Sequence, residues 1–327
     1  MDVSGLVYGI HIHGNLPAGF QLYIRSQVEH NVNRESSIDV RYRVIRRLPE
    51  VEEIWVGQPG PQATGRFALF RERGGFGLTV ACEGSGVFRL RPKAIEIEWL
   101  PEGTGAAHYF FSHALPLWLE SRGIPVLHAS AVAFGDRAVA FVGQSGIGKS
   151  TLCAGLVRSG CHFVVDDGVP LRKDGNGDWR CAHGPPLLRL WPSALEDRLG
   201  VSSKELPRVH DSLEKRMMPC SNDNVANTAA GLRLASVYVL DRQPEDSSQV
   251  TISACTARES LVRLIEHSVA GAPVAVLGLS AQRLEQLSRV VSQIPVKTLR
   301  YPSGDDPCQL ISEAILEDLA RSTYQGS

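Results

Sequence analysis

One glycine-rich stretch, residues 141–151, constrains this chain more than any other part of it. It fits the pattern G-x-x-x-x-G-K-[ST] at every fixed position. The apolar residues 138–142 ahead of it predict a strand, and Leu152, Leu156 and Val157 behind it predict one face of a helix. Free backbone N–H groups and the positive end of the helix macrodipole converge at such a junction. The stretch therefore predicts a phosphate-binding loop, and the alternative is a glycine-rich turn that opens an ordinary helix.

The residues of this loop are expected to have different tasks. Gly143, Gly146 and Gly148 let the backbone turn sharply and bring successive N–H groups close to an anion. Lys149 puts a positive charge where the β- and γ-phosphates would lie, and the Ser150 hydroxyl can ligate Mg²⁺. We expect Lys149 to face solvent when no nucleotide is bound. The predicted nucleotide-binding residues are Gly143, Ser145, Gly146, Ile147, Gly148, Lys149, Ser150 and Thr151.

Composition sets limits on the class of protein. The chain has 327 residues, which is enough for two domains and a large core. Its net charge of −1 gives no reason to expect general attraction to nucleic acid or to an anionic membrane. The 7 cysteines are scattered without a C-x-x-C pair, so we expect reduced thiols and neither disulfides nor a cysteine metal site. With no signal peptide or membrane-length apolar run evident, a cytoplasmic location is expected.

Residues 1–105 form a β-rich region in which no chemical constellation is evident. His11 and His13 share one face of a predicted strand, but two histidines without a third ligand are more often surface or core residues than a metal site. We expect this region to be a recognition domain for a partner or substrate. Turn signals occur at residues 58–61 and 73–75. Strands are predicted at residues 6–12, 21–24, 40–44, 54–56, 66–70, 77–82, 87–90 and 95–99.

Residues 106–327 alternate between strand and helix patterns, which predicts an α/β domain with a mixed sheet flanked by helices. In the helix predicted at 107–121, Pro116 is expected to kink or break the run. Residues 171–183 are typical of a hairpin, and residues 213–217 of a solvated helix end. Further strands are expected at 126–134, 163–165, 236–241, 273–279 and 296–301, and further helices from Pro192, at 257–268, 281–291 and 311–321.

Two carboxylates, Asp166 and Asp167, follow the apolar run 163–165. Ligands of open α/β sheets bind outside the carboxyl ends of the strands, which is the side where the phosphate loop also lies. Adjacent residues of a strand point to opposite faces, so the two carboxylates should have different roles. One could reach the Mg²⁺ shell and the other could face an attacking hydroxyl. The alternative for Asp-Asp-Gly is a plain turn.

The stretch from Leu127 to about Met217 resembles the catalytic domain of HPr kinase/phosphorylase. That family has a strand ending in histidine, a phosphate loop and an Asp-Asp pair, whose counterparts here are His128, residues 143–150 and residues 166–167. The resemblance implies a P-loop (Walker A) kinase domain at residues 106–327, with the smaller β-rich domain at residues 1–105 before it. It implies that Asp167 is the general base, that Asp166 and Ser150 bind the metal, and that His128 supports the base.

The chain departs from that family where an acidic metal ligand is expected, because Arg189 stands near that place. The segments 127–130, 189–192 and 213–216 instead resemble the HPr-kinase-related serine kinases of peptide-modification gene clusters, including lasso peptide kinases of RiPP biosynthesis. That resemblance implies ATP-dependent phosphorylation of a serine, in lasso systems at the C-terminus of the precursor. Lys215 or Arg216 could add positive charge at the transferring phosphoryl group, and Arg216 is taken as the candidate catalytic residue.

Three hypotheses follow for the function. The first is a Mg²⁺- and ATP-dependent serine kinase that acts on a peptide or small protein. The second is a true HPr(Ser) kinase/phosphorylase, and Arg189 argues against it because that family has an acidic metal ligand near this place. The third is a nucleotide-binding regulatory module without turnover, and a base at Asp167 argues against it because a pure binder has no use for one. The expected partners are the nucleotide and the acceptor, with a homo-oligomer left open, and neither nucleic acid nor membrane.

Overall fold

The computed structural model describes residues 2–24, 37–58, 65–82, 84–101, 105–211, 213–220, 231–244, 249–303 and 307–324. The first third of the chain forms an eight-stranded sheet with the strand order β1-β2-β3-β8-β7-β6-β5-β4. Its strands are β1 (Asp2–Val7), β2 (Ile10–Asn15), β3 (Ser37–Val44), β4 (Glu53–Gly57), β5 (Arg66–Glu72), β6 (Gly75–Ala81), β7 (Ser85–Leu90) and β8 (Ala94–Trp99). The β-rich character predicted for this region is therefore observed.

Two details of the prediction for this sheet are wrong. Residues 6–12 are not one strand, because the chain reverses at Tyr8 and Gly9 to form the β1–β2 hairpin. Residues 21–24 belong to a 3₁₀ turn, Ala18–Tyr23, which buries Phe20 and Tyr23 against the core. Aromatic residues favour strands on a pleated surface, but here burial decided the local conformation. The turn predicted at 58–61 lies, beyond residue 58, outside the described residues.

A helical segment links this sheet to the rest of the chain. It runs from α1 (Ala106–Tyr109) through a π-helical turn (Phe110–Ala114) into α2 (Leu115–Ser121). Pro116 does not break the run, because it lies in the first turn of α2, where a missing N–H is tolerated. Phe110 packs against Phe20 and Phe88 of the N-terminal region, with ring centroids 5.7 Å and 6.4 Å away. The segment therefore forms part of the core between the two sheets.

The second sheet has nine strands and is mixed. Its main path is β12-β10-β11-β18-β14-β13-β9, and β20 pairs with both β18 and β19. The central pairs β11–β18 and β18–β20 are parallel, whereas the other pairs are antiparallel. The strands are β9 (Val126–Leu127), β10 (Ala129–Phe134), β11 (Arg137–Val142), β12 (His162–Val165), β13 (Val169–Lys173), β14 (Trp179–Cys181), β18 (Leu232–Gln243), β19 (Thr251–Ala254) and β20 (Val296–Pro302). This is the mixed sheet that the sequence predicted, except that His128 interrupts the strand expected at 126–134.

Helices and a small antiparallel sheet complete the fold. The small sheet has the order β15-β17-β16, with β15 (Leu187–Leu190), β16 (Arg208–His210) and β17 (Leu213–Pro219). The helices are α3 (Lys149–Arg158), α4 (Ala257–Glu266), α5 (Gly271–Val276), α6 (Ser280–Val291) and α7 (Cys308–Tyr324), with a π-helical turn at Ala194–Arg198 and a 3₁₀ turn at Ser203–Glu205. Among the described residues, no helix is long and apolar enough to span a membrane.

Two predictions for the chain after residue 105 are corrected. The apolar run 273–279 is not a buried strand but falls largely in α5, which packs against α2. Short apolar runs do not distinguish strand from helix, and Pro273 suits a first helical turn. Residues 213–217 are not a helix end but the first part of β17. One buried apolar cluster includes residues of both large sheets, such as Phe88 and Val237, so the domain division at residue 105 stays a prediction.

Candidate active site

The glycine-rich loop connects β11 to α3, as predicted. Gly146 and Gly148 have φ angles of 85° and 105°, a backbone region that glycine adopts without a steric penalty. Helix α3 begins at Lys149, so its free N–H groups face the loop. The loop borders a cavity of about 100 Å³ whose lining includes most of the predicted site. Its lining residues are His128, Ser130, Ser145, Gly146, Gly148, Lys149, Ser150, Thr151, Asp166, Asp167, Arg189, Leu190, Trp191 and Lys215.

Asp166 lies at the end of β12 and is 2% exposed. Its Oδ1 accepts hydrogen bonds from the hydroxyls of Ser150 and Ser130, at 2.8 Å and 2.6 Å. Its Oδ2 accepts a hydrogen bond from the backbone N–H of Arg189, at 3.1 Å. The loop serine and the strand-end carboxylate therefore meet, as a shared Mg²⁺ shell requires. Ser130 was not predicted as a site residue, although the segment 127–130 had carried part of the resemblance.

Asp167 lies beyond the end of β12 and has a left-handed backbone with a φ of 71°, so the strand alternation expected from the sequence does not apply to it, and both carboxylates line the same cavity with different partners. Its Oδ1 lies 3.3 Å from Nδ1 of His128, and its Oδ2 lies 2.9 Å from Nη2 of Arg189. His128 can take this position because it leaves the sheet between β9 and β10, where its N–H donates to the carbonyl of His267 at 2.6 Å. Burial raises the pKa of Asp167, but Arg189 and His128 outweigh it and hold the pKa well below its usual value. The carboxylate is therefore ionised at neutral pH.

Arg189 has a role that the sequence did not predict. Its side chain is 4% exposed and pairs with Asp167. Nη1 also contacts Ser112 and lies 3.2 Å from Nδ1 of His108, both from the helical segment between the two sheets. Burial and Arg189 lower the pKa of His108 well below its usual value, so the ring is neutral and can accept this bond. Residues 108 and 112 are one helical turn apart, but long stretches of chain separate them from 167 and 167 from 189, so no local sequence signal predicts this cluster.

Lys149 is not solvent-facing, and this expectation was wrong. The side chain is 7% exposed. Its Nζ donates to the carbonyl oxygens of Gly143 and Gln144, at 2.8 Å and 3.2 Å. Burial lowers the pKa of Lys149 to about 8, while the charges of Asp167 and Asp166 oppose this shift. The ammonium group is thus satisfied by the loop's own backbone.

Lys215 and Arg216 occupy opposite faces of β17, because successive residues of a strand alternate. Lys215 lines the cavity, and its Nζ lies 5.6 Å from the ring centroid of Trp191. Arg216 does not line it, and its Nη2 lies 3.7 Å from Glu214. Lys215 is therefore better placed than Arg216 to add charge near the phosphoryl group, and it replaces Arg216 as the candidate.

A second, larger cavity of about 370 Å³ adjoins the other side of the loop. Ile147, Thr151 and Gly155 form its floor along the start of α3, and Trp191 lies between it and the smaller cavity. Tyr301 and Arg242, at the ends of β20 and β18, line the opposite side. A volume of this size, open beside a phosphate loop, could hold a nucleoside.

Comparison with known proteins gives limited information. No protein-family model matches the chain, and no curated protein matches it. Among solved structures, the chain is similar to the HPr(Ser) kinase/phosphatase from Coxiella burnetii, with 15% sequence identity and a TM-score of 0.33. The match covers 62% of this chain and 99% of the other. A similarity this distant supports no conclusion about activity, which has to be argued from the site.

Proposed function

We propose that the protein is an ATP- and Mg²⁺-dependent kinase that transfers the γ-phosphoryl group of ATP to a hydroxyl group. One observation carries the proposal: Ser150 of the glycine-rich loop and Asp166 are hydrogen-bonded, and a second carboxylate, Asp167, lies in the same cavity. A phosphate loop with a hydroxyl and an acid that share a metal shell is the arrangement that phosphoryl transfer uses.

The residues fit Mg²⁺ better than a metal held entirely by protein. Among the described residues, no group of three or more His, Cys, Asp and Glu side chains could hold a metal ion. Mg²⁺ commonly takes one or two protein ligands and completes its shell with water and phosphate oxygens. Ser150 and Asp166 would supply those two ligands. When bound, the ion would neutralise charge on the β- and γ-phosphates.

The remaining residues would position the reactants and take up the proton. The acceptor oxygen attacks the γ-phosphorus, the bond from that phosphorus to the β–γ bridging oxygen breaks, and ADP leaves. Asp167 accepts the hydroxyl proton, and His128 and Arg189 hold the carboxylate of Asp167 in place. Lys149 and Lys215 add positive charge near the transferred group. Most of the rate enhancement would come from positioning and electrostatics.

The acceptor we propose is a serine of a peptide or small protein. The resemblance of segments 127–130, 189–192 and 213–216 to lasso peptide kinases extends this to the C-terminal serine of a precursor peptide. The larger cavity beside the loop suits the nucleoside of the donor. The smaller cavity, which Asp167, Trp191 and Lys215 line, then remains available for the acceptor.

The test is direct phosphoryl transfer. The full-length protein is mixed with labelled ATP, Mg²⁺ and the small peptides encoded beside its gene, and mass spectrometry locates the added phosphoryl group. We expect it on a serine, with transfer by an Asp167→Asn variant slowed about a hundredfold or more. Transfer to HPr instead would favour a HPr(Ser) kinase, and tight Mg²⁺-dependent nucleotide binding without any transfer would favour a regulatory module.

A further inference from the structure

The described part of the chain has two non-glycine residues with a left-handed backbone, Tyr8 with φ 56° and Asp167 with φ 71°. Such conformations cost free energy for a residue with a side chain, and they persist where the surroundings hold them. The two residues are far apart in sequence but close in space, since the Tyr8 hydroxyl lies beside Gly168, the residue after Asp167. Asp167 is the candidate base, and its neighbour Tyr8 is therefore a candidate for holding the backbone of Asp167 in place.

Tyr8 is an unusual residue for its position. It forms the tip of the β1–β2 hairpin with Gly9, whose φ is 70°. Two successive residues with positive φ are typical of the turn that favours Asn-Gly. The left-handed turn conformation does not favour tyrosine, so we expect the role of this residue to lie in its side chain. That side chain is fully buried, away from its own sheet's solvent face.

The ring of Tyr8 occupies a slot made by two glycines of the second sheet's region. A Cβ on Gly168 would lie 3.3 Å from the Tyr8 hydroxyl, and a Cβ on Gly184 would lie 3.0 Å from Cε1 of the ring. The backbone fixes the hairpin in place as well. The N–H of Tyr8 donates to the carbonyl of His183 at 2.7 Å, and Arg172 donates to the carbonyl of Gly9 at 3.1 Å.

The slot is directly coupled to the candidate base, since Gly168 follows Asp167 in the chain. Arg189 and His128 contact the carboxylate of Asp167 from two sides, and Nδ1 of His128 also lies 3.2 Å from the backbone carbonyl oxygen that joins Asp167 to Gly168. Glycine has wide backbone freedom, so an unsupported Gly168 would let Asp167 leave its left-handed conformation. The hydroxyl and Cζ of Tyr8, together with Cγ1 of Val126, fill the space beside Gly168 and limit that freedom.

We propose that Tyr8 is a positioning residue of the phosphoryl-transfer site: its ring, delivered by the N-terminal sheet into the slot of Gly168 and Gly184, holds Asp167 in its reactive conformation. The N-terminal sheet is then part of the active site as well as a recognition surface. The phosphoryl-transfer part rests on the proposed function, whereas the support of the Asp167 backbone does not.

The experiment compares wild type with Tyr8→Asn in the full chain. Asparagine suits the turn and removes the ring, so the hairpin should survive while the slot empties. Hydrogen exchange should rise about tenfold or more for the amides of residues 167–169 and stay unchanged in α3. The kcat for phosphoryl transfer should fall about tenfold or more, with the KM for ATP nearly unchanged, because misplaced catalytic groups slow chemistry more than binding.

Two further variants separate positioning from general destabilisation. Tyr42→Asn makes the same exchange at a half-buried tyrosine of the same sheet, and it should leave exchange at 167–169 unaltered. Tyr8→Phe keeps the ring and removes a hydroxyl that has no hydrogen-bond partner among the described residues. It should retain the protection of residues 167–169.

If Tyr8→Asn does not fold, Gly168→Ala tests the same contact. The added methyl group would press on the Tyr8 hydroxyl and should raise exchange at 167–169, and combining it with Tyr8→Phe should restore protection. Wild-type exchange at 167–169 in folded Tyr8→Asn, or no restoration in the double variant, overturns the proposal. A wild-type protein that transfers no phosphoryl group refutes the proposed function alone, because the exchange measurements still decide the role of Tyr8.

Discussion

Replacing Asp167 with asparagine separates the proposed base from the proposed metal ligand beside it. Asparagine keeps the size of the side chain and can still accept a hydrogen bond from Arg189, whose Nη2 lies 2.9 Å from Oδ2. It cannot take a proton from a serine. General-base catalysis contributes about 10²–10⁴-fold to a rate, so we expect kcat to fall by about that factor. This corresponds to about 3–5 kcal/mol of transition-state stabilisation.

The same change should also affect folding, because Arg189 is 4% exposed and loses the charge of its partner. Removing one member of a buried ion pair costs about 3–5 kcal/mol. Here Asp167 is 28% exposed, and Ser112 and His108 still contact the guanidinium. We therefore expect a smaller loss of about 1–3 kcal/mol in the free energy of unfolding, measured by denaturant titration.

Asp166→Asn is the matched control. Its side chain can still hydrogen-bond Ser130, Ser150 and the Arg189 N–H, but the charge that would face Mg²⁺ is gone. We expect this variant to need more Mg²⁺ for half-maximal transfer, whereas Asp167→Asn should bind ATP·Mg²⁺ with nearly normal affinity. Nucleotide affinity and transfer are measured across a Mg²⁺ titration. A wild-type kcat in Asp167→Asn, or identical behaviour of the two variants, would refute the separate roles.

Three other predictions concern single residues or one buried pair. Lys149→Ala should nearly abolish ATP-dependent transfer, and unchanged turnover would contradict the phosphate-loop assignment. The variant also loses the two hydrogen bonds from Nζ to loop carbonyls, which should lower the free energy of unfolding by about 1–2 kcal/mol in denaturant titration. Arg283→Met leaves Glu120, 3% exposed, without its partner and should cost about 3–5 kcal/mol near neutral pH. Burial already raises the pKa of Glu120, so the folded state binds more protons than the unfolded state between the ordinary and the raised pKa. The loss should therefore shrink as the pH falls through the raised pKa and vanish below the ordinary glutamate pKa, and an unchanged loss would refute it. Because Arg189 stands where a second metal ligand would be needed, we expect no efficient phosphorylation of HPr, which a transfer assay with purified HPr checks.

Local patterns predicted the part of the site that short segments build. The strand, the glycine-rich loop and helix α3 are contiguous, and the φ angles of Gly146 and Gly148 are those that the loop needs. Asp166 and Asp167 directly follow β12 and line the same cavity as the loop, at the carboxyl end of the strand as expected. These features depend on neighbouring residues, so the sequence contains the information to predict them.

Where local patterns were ambiguous, two predictions of a strand were wrong. The run 273–279 has the composition of a buried strand but forms α5, since its surroundings offer a helix, α2, to pack against. Residues 6–12 alternate as a strand does, yet the chain turns at Tyr8. In each case a contact distant in sequence outweighed a preference that is small per residue.

The sequence by itself determined that this chain has a glycine-rich loop between a strand and a helix, followed by a pair of carboxylates. Only the tertiary structure decided how those groups are held. Arg189 pairs with Asp167, Lys149 folds back on its own loop, and Tyr8 enters the slot beside Gly168. Burial and charge in a folded interior depend on which distant segments meet, and no window of neighbouring residues contains that information.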